Sequence, residues 1–96
     1  MSKKSISVIG AGSWGTALSI HLARIGHKVN LWVYEKLLCE QIKETKENPI
    51  FLPGFNCSNL IYPTHSLEEA IGENNLILIV VPTNFIRNIA EMMAPL

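Results

Sequence analysis

Four apolar runs punctuate the chain, and three of the intervals between them carry a helical period. Residues 5–9 (Ser-Ile-Ser-Val-Ile) read as a first strand. From Ser13 the apolar positions Trp14, Ala17, Leu18, Leu22 and Ile25 recur at helical spacing, and Gly26 supplies a stop. His21 falls on the same stripe and reads as a histidine packed at the helix edge. Residues 28–33 alternate and then turn apolar, which suits a second strand. A polar helix is expected over residues 36–47, with Leu38, Cys39 and Ile42 inward and its Lys and Glu residues solvated. Asn48-Pro49 should stop it, because the residue before proline avoids the helical region.

Pro53-Gly54 reads as a turn and residues 59–62 as a short third strand. Ser66 followed by Glu69 is a capping-box pattern, so a short helix should begin there. Residues 75–81 contain the run Leu-Ile-Leu-Ile-Val-Val, the pattern of a parallel strand covered on both faces. Pro82-Thr83 ends that run, and Ile86, Ile89, Ala90 and Met93 mark a last helix. Strands alternating with helices predict an α/β fold, a doubly wound parallel sheet of Rossmann type in partial form, with strand order 3-2-1-4. That order places the loops after Ile9 and after Val81 on either side of the ligand-binding crevice.

Candidate chemistry gathers at three places on that crevice. The first is Gly10-Ala11-Gly12-Ser13-Trp14-Gly15, a G-x-G-x-x-G spacing set between a strand and a helix. Gly10 would allow the turn, Gly12 would let a pyrophosphate approach, and Gly15 would let the helix pack closely. The helix start offers free N–H groups and a positive dipole end. Ser13 reads as a hydroxyl donor to a phosphate oxygen or as a helix N-cap, and Trp14 as a ligand contact or a core residue. The second place is Tyr34-Glu35, twenty residues past Gly15. Glu35 would accept hydrogen bonds from an adenosine ribose, or simply open the next helix; Tyr34 would stack on adenine or lie on the surface. A carboxylate there repels a 2′-phosphate, which favours NAD over NADP while leaving NADP open. The third is Pro82 to Phe85, with Phe85 against the cofactor ring or in the helix core.

Composition removes several alternatives. Eight basic and eight acidic side chains cancel among 96 residues, so nothing points to nucleic acid or an anionic membrane as a partner. Cys39, Cys57, His21, His27 and His65 show no metal-ligand spacing, and no metal site is expected. The apolar runs are too short to span a bilayer or to serve as a signal peptide. The chain reads as a cytoplasmic protein with reduced thiols. No proton donor or nucleophile stands near the crevice besides Glu35, so no catalytic residue is assigned.

The motif Gly-Ala-Gly-Ser-Trp-Gly-Thr-Ala-Leu at 10–18 resembles the opening of NAD(P)-dependent glycerol-3-phosphate dehydrogenases. The resemblance continues through Gly26-His27-Lys28-Val29, Leu31-Trp32, Glu47-Asn48, Phe51-Leu52-Pro53-Gly54 and Val80-Val81-Pro82-Thr83. It implies an enzyme that interconverts dihydroxyacetone phosphate and sn-glycerol 3-phosphate by hydride transfer for glycerophospholipid synthesis. It further implies that Ser13 and Trp14 meet the cofactor pyrophosphate, that Tyr34 lies beside the adenosine, and that Phe85 borders the nicotinamide, while Pro82 lies beside the cofactor by its place after the fourth strand. Residues 1–96 would be the N-terminal part of a dinucleotide-binding domain. The remaining strands, and a helical domain handling the phosphorylated triose, would lie outside them, in an enzyme that forms a homodimer. Two readings stand beside this one: another dehydrogenase of the superfamily, of hydroxyacid or ketopantoate reductase type, and a non-catalytic nucleotide-binding module.

Overall fold

A computed structural model describes residues 5–74, 76–81 and 83–95, apart from the side chains of residues 83–85. The elements run β1 (Ser5–Ile9), α1 (Ser13–Arg24), β2 (Lys28–Trp32), α2 (Lys36–Thr45), β3 (Glu47–Asn48), β4 (Leu52–Asn56), β5 (Ile61–Thr64), α3 (Leu67–Ile71), β6 (Leu76–Ile79) and α4 (Thr83–Met93). Four strands form one parallel sheet in the order β5-β2-β1-β6, with Val8 opposite Leu31 on one side and Leu78 on the other. This is the expected 3-2-1-4 order once the separate hairpin β3-β4 is left out of the count.

Side chains alternate across the sheet and divide the core in two. Ile6, Val8, Val29, Leu31 and Ile61 face α1 and α2, where they meet Ala23, Leu38, Cys39 and Ile42. Ile9 and Trp32 face the other way and pack with Leu67, Ala70 and Ile89 of α3 and α4. Ser7, polar and fully buried at the centre of β1, donates its hydroxyl to the Ala70 carbonyl at 2.6 Å and accepts from Asn74 Nδ2 at 2.9 Å. A buried polar group is tolerable only when partnered, and this one docks the end of α3 on the sheet. Ser66 caps α3 as expected, its hydroxyl accepting from the Glu69 amide.

Several expectations need correction. The buried face of α1 is not the large apolar stripe but Gly15, Thr16, Ser19 and Ala23. Close approach of the helix to β1 leaves room only for small residues, so Ile25 is turned half outward and His21 is exposed. The second helix stops at Thr45, where Lys46 takes a left-handed conformation (φ 59°). Pro53-Gly54 is not a turn but part of β4, which pairs antiparallel with β3; the chain reverses instead over residues 49–51. The third sheet strand also begins later than the apolar pattern suggested, at Ile61, and the fourth ends earlier, at Ile79.

Cys39 and Cys57 are free and buried, and burial pushes both thiols up from their ordinary pKa. Their thiolate fraction at neutral pH therefore falls below that of an exposed cysteine. Ellman's reagent is expected to react with neither in the folded chain and with both in urea. Rapid labelling without denaturant would contradict this packing.

Candidate functional site

The loop from β1 to α1 is built around two glycines that cannot be replaced and one that is open. Gly10 has φ +122°, a conformation that L side chains avoid, and a Cβ there would run into the Val80 carbonyl oxygen. Its amide donates to the Trp32 carbonyl at 3.2 Å, and the Val80 amide donates to the Ile9 carbonyl at 2.8 Å. The turn is thus wedged between the ends of β2 and β6, at the reversal point of the sheet. A Cβ on Gly15 would collide with the Gly10 carbonyl oxygen, whereas a Cβ on Gly12 would meet nothing within 4 Å among the described residues. Among these residues the outer side of the loop at Gly12 is open, and the inner side at Gly10 and Gly15 is filled.

Gly12 is the N-cap of α1, and no side chain caps the helix or places an acid in its first turn. The first amides, those of Ser13, Trp14 and Gly15, have no intrahelical acceptor. Their partial positive charge is the feature that attracts an anion. Ser13 is therefore not the N-cap. Its hydroxyl donates to the Phe51 carbonyl at 2.7 Å, in the hairpin turn. Trp14 is not a core residue: it stands 83% exposed beside the loop, turned outward by the same close packing that buries Gly15 and Thr16.

At the end of β2, Tyr34 is exposed and meets Trp32 edge to face, with centroids 5.8 Å apart and planes at 61°. Glu35 is the N-cap of α2, yet its carboxylate makes no cap bond and stays exposed. Beside these residues lies a concavity of about 500 Å³ lined by Trp32, Tyr34, His65, Leu67 and Met92. Its aromatic wall is fixed from behind: Trp32 Nε1 donates to the His65 carbonyl at 3.0 Å, and His65 Nδ1 lies 3.1 Å from the Val33 carbonyl. A flat, mostly apolar group fits such a recess. Pro82 and the side chain of Phe85 lie outside the described residues. Among the described residues no group of His, Cys, Asp or Glu could hold a metal ion, and no helix is long and apolar enough to cross a membrane.

One residue of this region escaped the sequence reading. Asn48, taken there as a helix stop and as part of the Glu47-Asn48 match, is fully buried against the glycine loop, with its side chain bonded to Ala11, Thr16 and Phe51. The only signal for it is a polar residue between the end of an amphipathic helix and a proline, which is ordinary loop composition. The buried face of α1, by contrast, left a readable trace: Gly15, Ser19 and Ala23 are small residues at four-residue spacing.

A family model described as NAD-dependent glycerol-3-phosphate dehydrogenase N-terminus matches residues 5–96. Glycerol-3-phosphate dehydrogenase (NAD(P)+) of Syntrophobacter fumaroxidans is 42% identical over 90 residues, covering 94% of this chain and 26% of that protein. Its counterpart in Geobacter sulfurreducens is 44% identical over 91 residues, covering 95% of this chain and 27% of that protein. The crystal structure of glycerol-3-phosphate dehydrogenase from Coxiella burnetii superposes with a TM-score of 0.93 at 36% identity, covering 98% of this chain and 29% of that one. The chain thus spans about a quarter of the length of the curated relatives it matches.

Proposed function

The chain belongs to the NAD-dependent glycerol-3-phosphate dehydrogenase family, to the N-terminal part of it, and on that premise we propose that it holds the nicotinamide cofactor of such an enzyme. The whole protein would interconvert dihydroxyacetone phosphate and sn-glycerol 3-phosphate. The observation that carries the reading is the open face of Gly12 above the uncapped start of α1. The Cβ directions of Gly10 and Gly15 are blocked by backbone, whereas that of Gly12 is open beside the free amides.

Within this reading the amides of Ser13 and Trp14 bind the pyrophosphate, and Trp14 shields it from one side. Adenine enters the recess beside Tyr34, and the Glu35 carboxylate accepts hydrogen bonds from the ribose hydroxyls. Pro82 and Phe85 border the nicotinamide. The cofactor supplies a hydride; the residues named here bind, orient and exclude water. Groups that polarise the substrate carbonyl belong to a helical domain outside residues 1–96. We assign the whole enzyme to the cytoplasm as a homodimer, with the phosphorylated triose as its small-molecule substrate and glycerophospholipid synthesis as its use.

The test is calorimetric titration with NADH, followed by an assay of the whole enzyme for NADH oxidation with dihydroxyacetone phosphate. Saturable NADH binding and triose-dependent oxidation support the reading; no binding defeats it. Cofactor choice is a separate expectation. The exposed Glu35 should disfavour a 2′-phosphate, so NADPH should bind about tenfold more weakly than NADH, and less so in high salt. Glu35→Gln should bring the two affinities together. Equal binding of both cofactors by the unaltered chain would remove Glu35 from this role.

A further inference from the structure

The buried amide of Asn48 is fully committed to the glycine loop. Nδ2 donates to the Ala11 carbonyl at 2.8 Å and to Thr16 Oγ1 at 2.9 Å, and Oδ1 accepts from the Phe51 amide at 3.1 Å. Thr16 Oγ1 in turn donates to the same Ala11 carbonyl at 3.3 Å. Asn48 and Thr16 are both 0% exposed, and the bonds joining them to each other and to the Ala11 carbonyl are buried. Ala11 is the residue between Gly10 and Gly12, and its carbonyl takes two donors from one side.

A trans peptide carries its C=O and the following N–H in opposite directions. Holding the Ala11 carbonyl inward therefore aims the Gly12 N–H outward, toward the open space above α1. We propose that Asn48 is a positioning residue for the phosphate-binding loop, clamping the Ala11–Gly12 peptide so that the Gly12 amide faces the pyrophosphate. The hairpin β3-β4 exists in this view to deliver Asn48. The second tether, from Ser13 to the Phe51 carbonyl, fixes the same turn to the helix start. Asparagine is the residue this place needs, because two donors and one acceptor must leave one short side chain. The role rests on the cofactor reading given above.

The test uses three variants and two readouts. Asn48→Asp cannot donate to the Ala11 carbonyl. Thr16→Val keeps the shape of the side chain and loses the hydroxyl, while Thr16→Ser keeps the hydroxyl and loses a methyl group. NADH affinity is measured below the melting temperature of every variant, and the Gly12 amide is followed by NMR without cofactor. Asn48→Asp should weaken NADH binding about tenfold or more, the equivalent of one buried hydrogen bond, and shift the Gly12 resonance. Thr16→Val should weaken binding several-fold, and Thr16→Ser should bind as the unaltered chain does although it melts earlier.

A purely structural role would produce the opposite ranking for Thr16, with affinity unmoved and melting temperature alone changed. Equal affinity for Thr16→Val and Thr16→Ser overturns the proposal even if Asn48→Asp fails to fold. Folded Asn48→Asp with unchanged affinity also overturns it. An unaltered chain that does not bind NADH overturns the cofactor reading itself, and this role with it.

Discussion

Gly12→Val is expected to leave the fold intact and to weaken cofactor binding roughly a hundredfold. The two halves of that result have separate physical causes. Gly12 has φ −74° and ψ −168°, extended backbone that a β-branched residue adopts without strain. Among the described residues a Cβ there touches nothing within 4 Å, so valine displaces none of them. Valine is a poorer N-cap than glycine, so stability should fall only by about 1 kcal/mol. Binding depends on what enters the same space. The valine methyl groups would stand over the first amides of α1 and keep a pyrophosphate from reaching them. Two charge-assisted hydrogen bonds lost at about 1.5 kcal/mol each amount to roughly a hundredfold loss of affinity. Gly12→Ala, with a single methyl, should fall between. Thermal melting with NADH titration checks both halves. A Gly12→Val chain that folds and still binds NADH normally would move the pyrophosphate away from this loop.

What could be read from the sequence follows the range of the interactions involved. The glycine loop announced itself because its chemistry is local: a strand, a turn that needs positive φ at Gly10, and a helix start lie within six residues. Sheet order followed from the alternation of strands and helices and from the continuous apolar run before Pro82. The hairpin was hidden because its cause is distant. Pro53-Gly54 has the composition of a turn, yet the chain already reverses at residues 49–51, where Asn48 binds groups 37 and 32 residues away in sequence. Tertiary bonds of that span leave no periodic trace. Of the two readings open for Trp14, the core one fails for a related reason. Hydrophobic spacing put it on the inner stripe, but closeness of approach, not hydrophobicity, decides which face of α1 meets the sheet. The tyrosine and the acid after β2 were legible as positions, since the end of a central strand borders the crevice. The recess behind Tyr34 was not, because His65 and Leu67 reach it from the start of α3 and Met92 from α4.

Gly15→Ala should fail in the opposite manner, losing the fold before any question of binding arises. Two terms oppose each other. Replacing glycine by alanine inside a helix gains at most about 1 kcal/mol of intrinsic propensity, and less in the first turn. Against this, the new methyl group would overlap the Gly10 carbonyl oxygen. That oxygen cannot retreat, for Gly10 is held by its bond to the Trp32 carbonyl, by its positive φ and by the Val80 backbone behind it. The strain is therefore relieved only if α1 lifts from the sheet, which loosens the packing of Thr16, Ser19 and Ala23 together. Overpacking against rigid backbone costs about 1–3 kcal/mol and sometimes more, and here the helix that would move carries one wall of the core. With the propensity gain small in the first turn and the contact at the upper end of that range, a net loss of about 2 kcal/mol is expected, a large share of the stability of a domain this small. Urea denaturation measures it directly. An alanine variant as stable as the unaltered chain would mean that α1 does not approach β1 this closely. The pair then separates two glycines that look alike in the motif: one kept empty for the backbone, the other for the ligand.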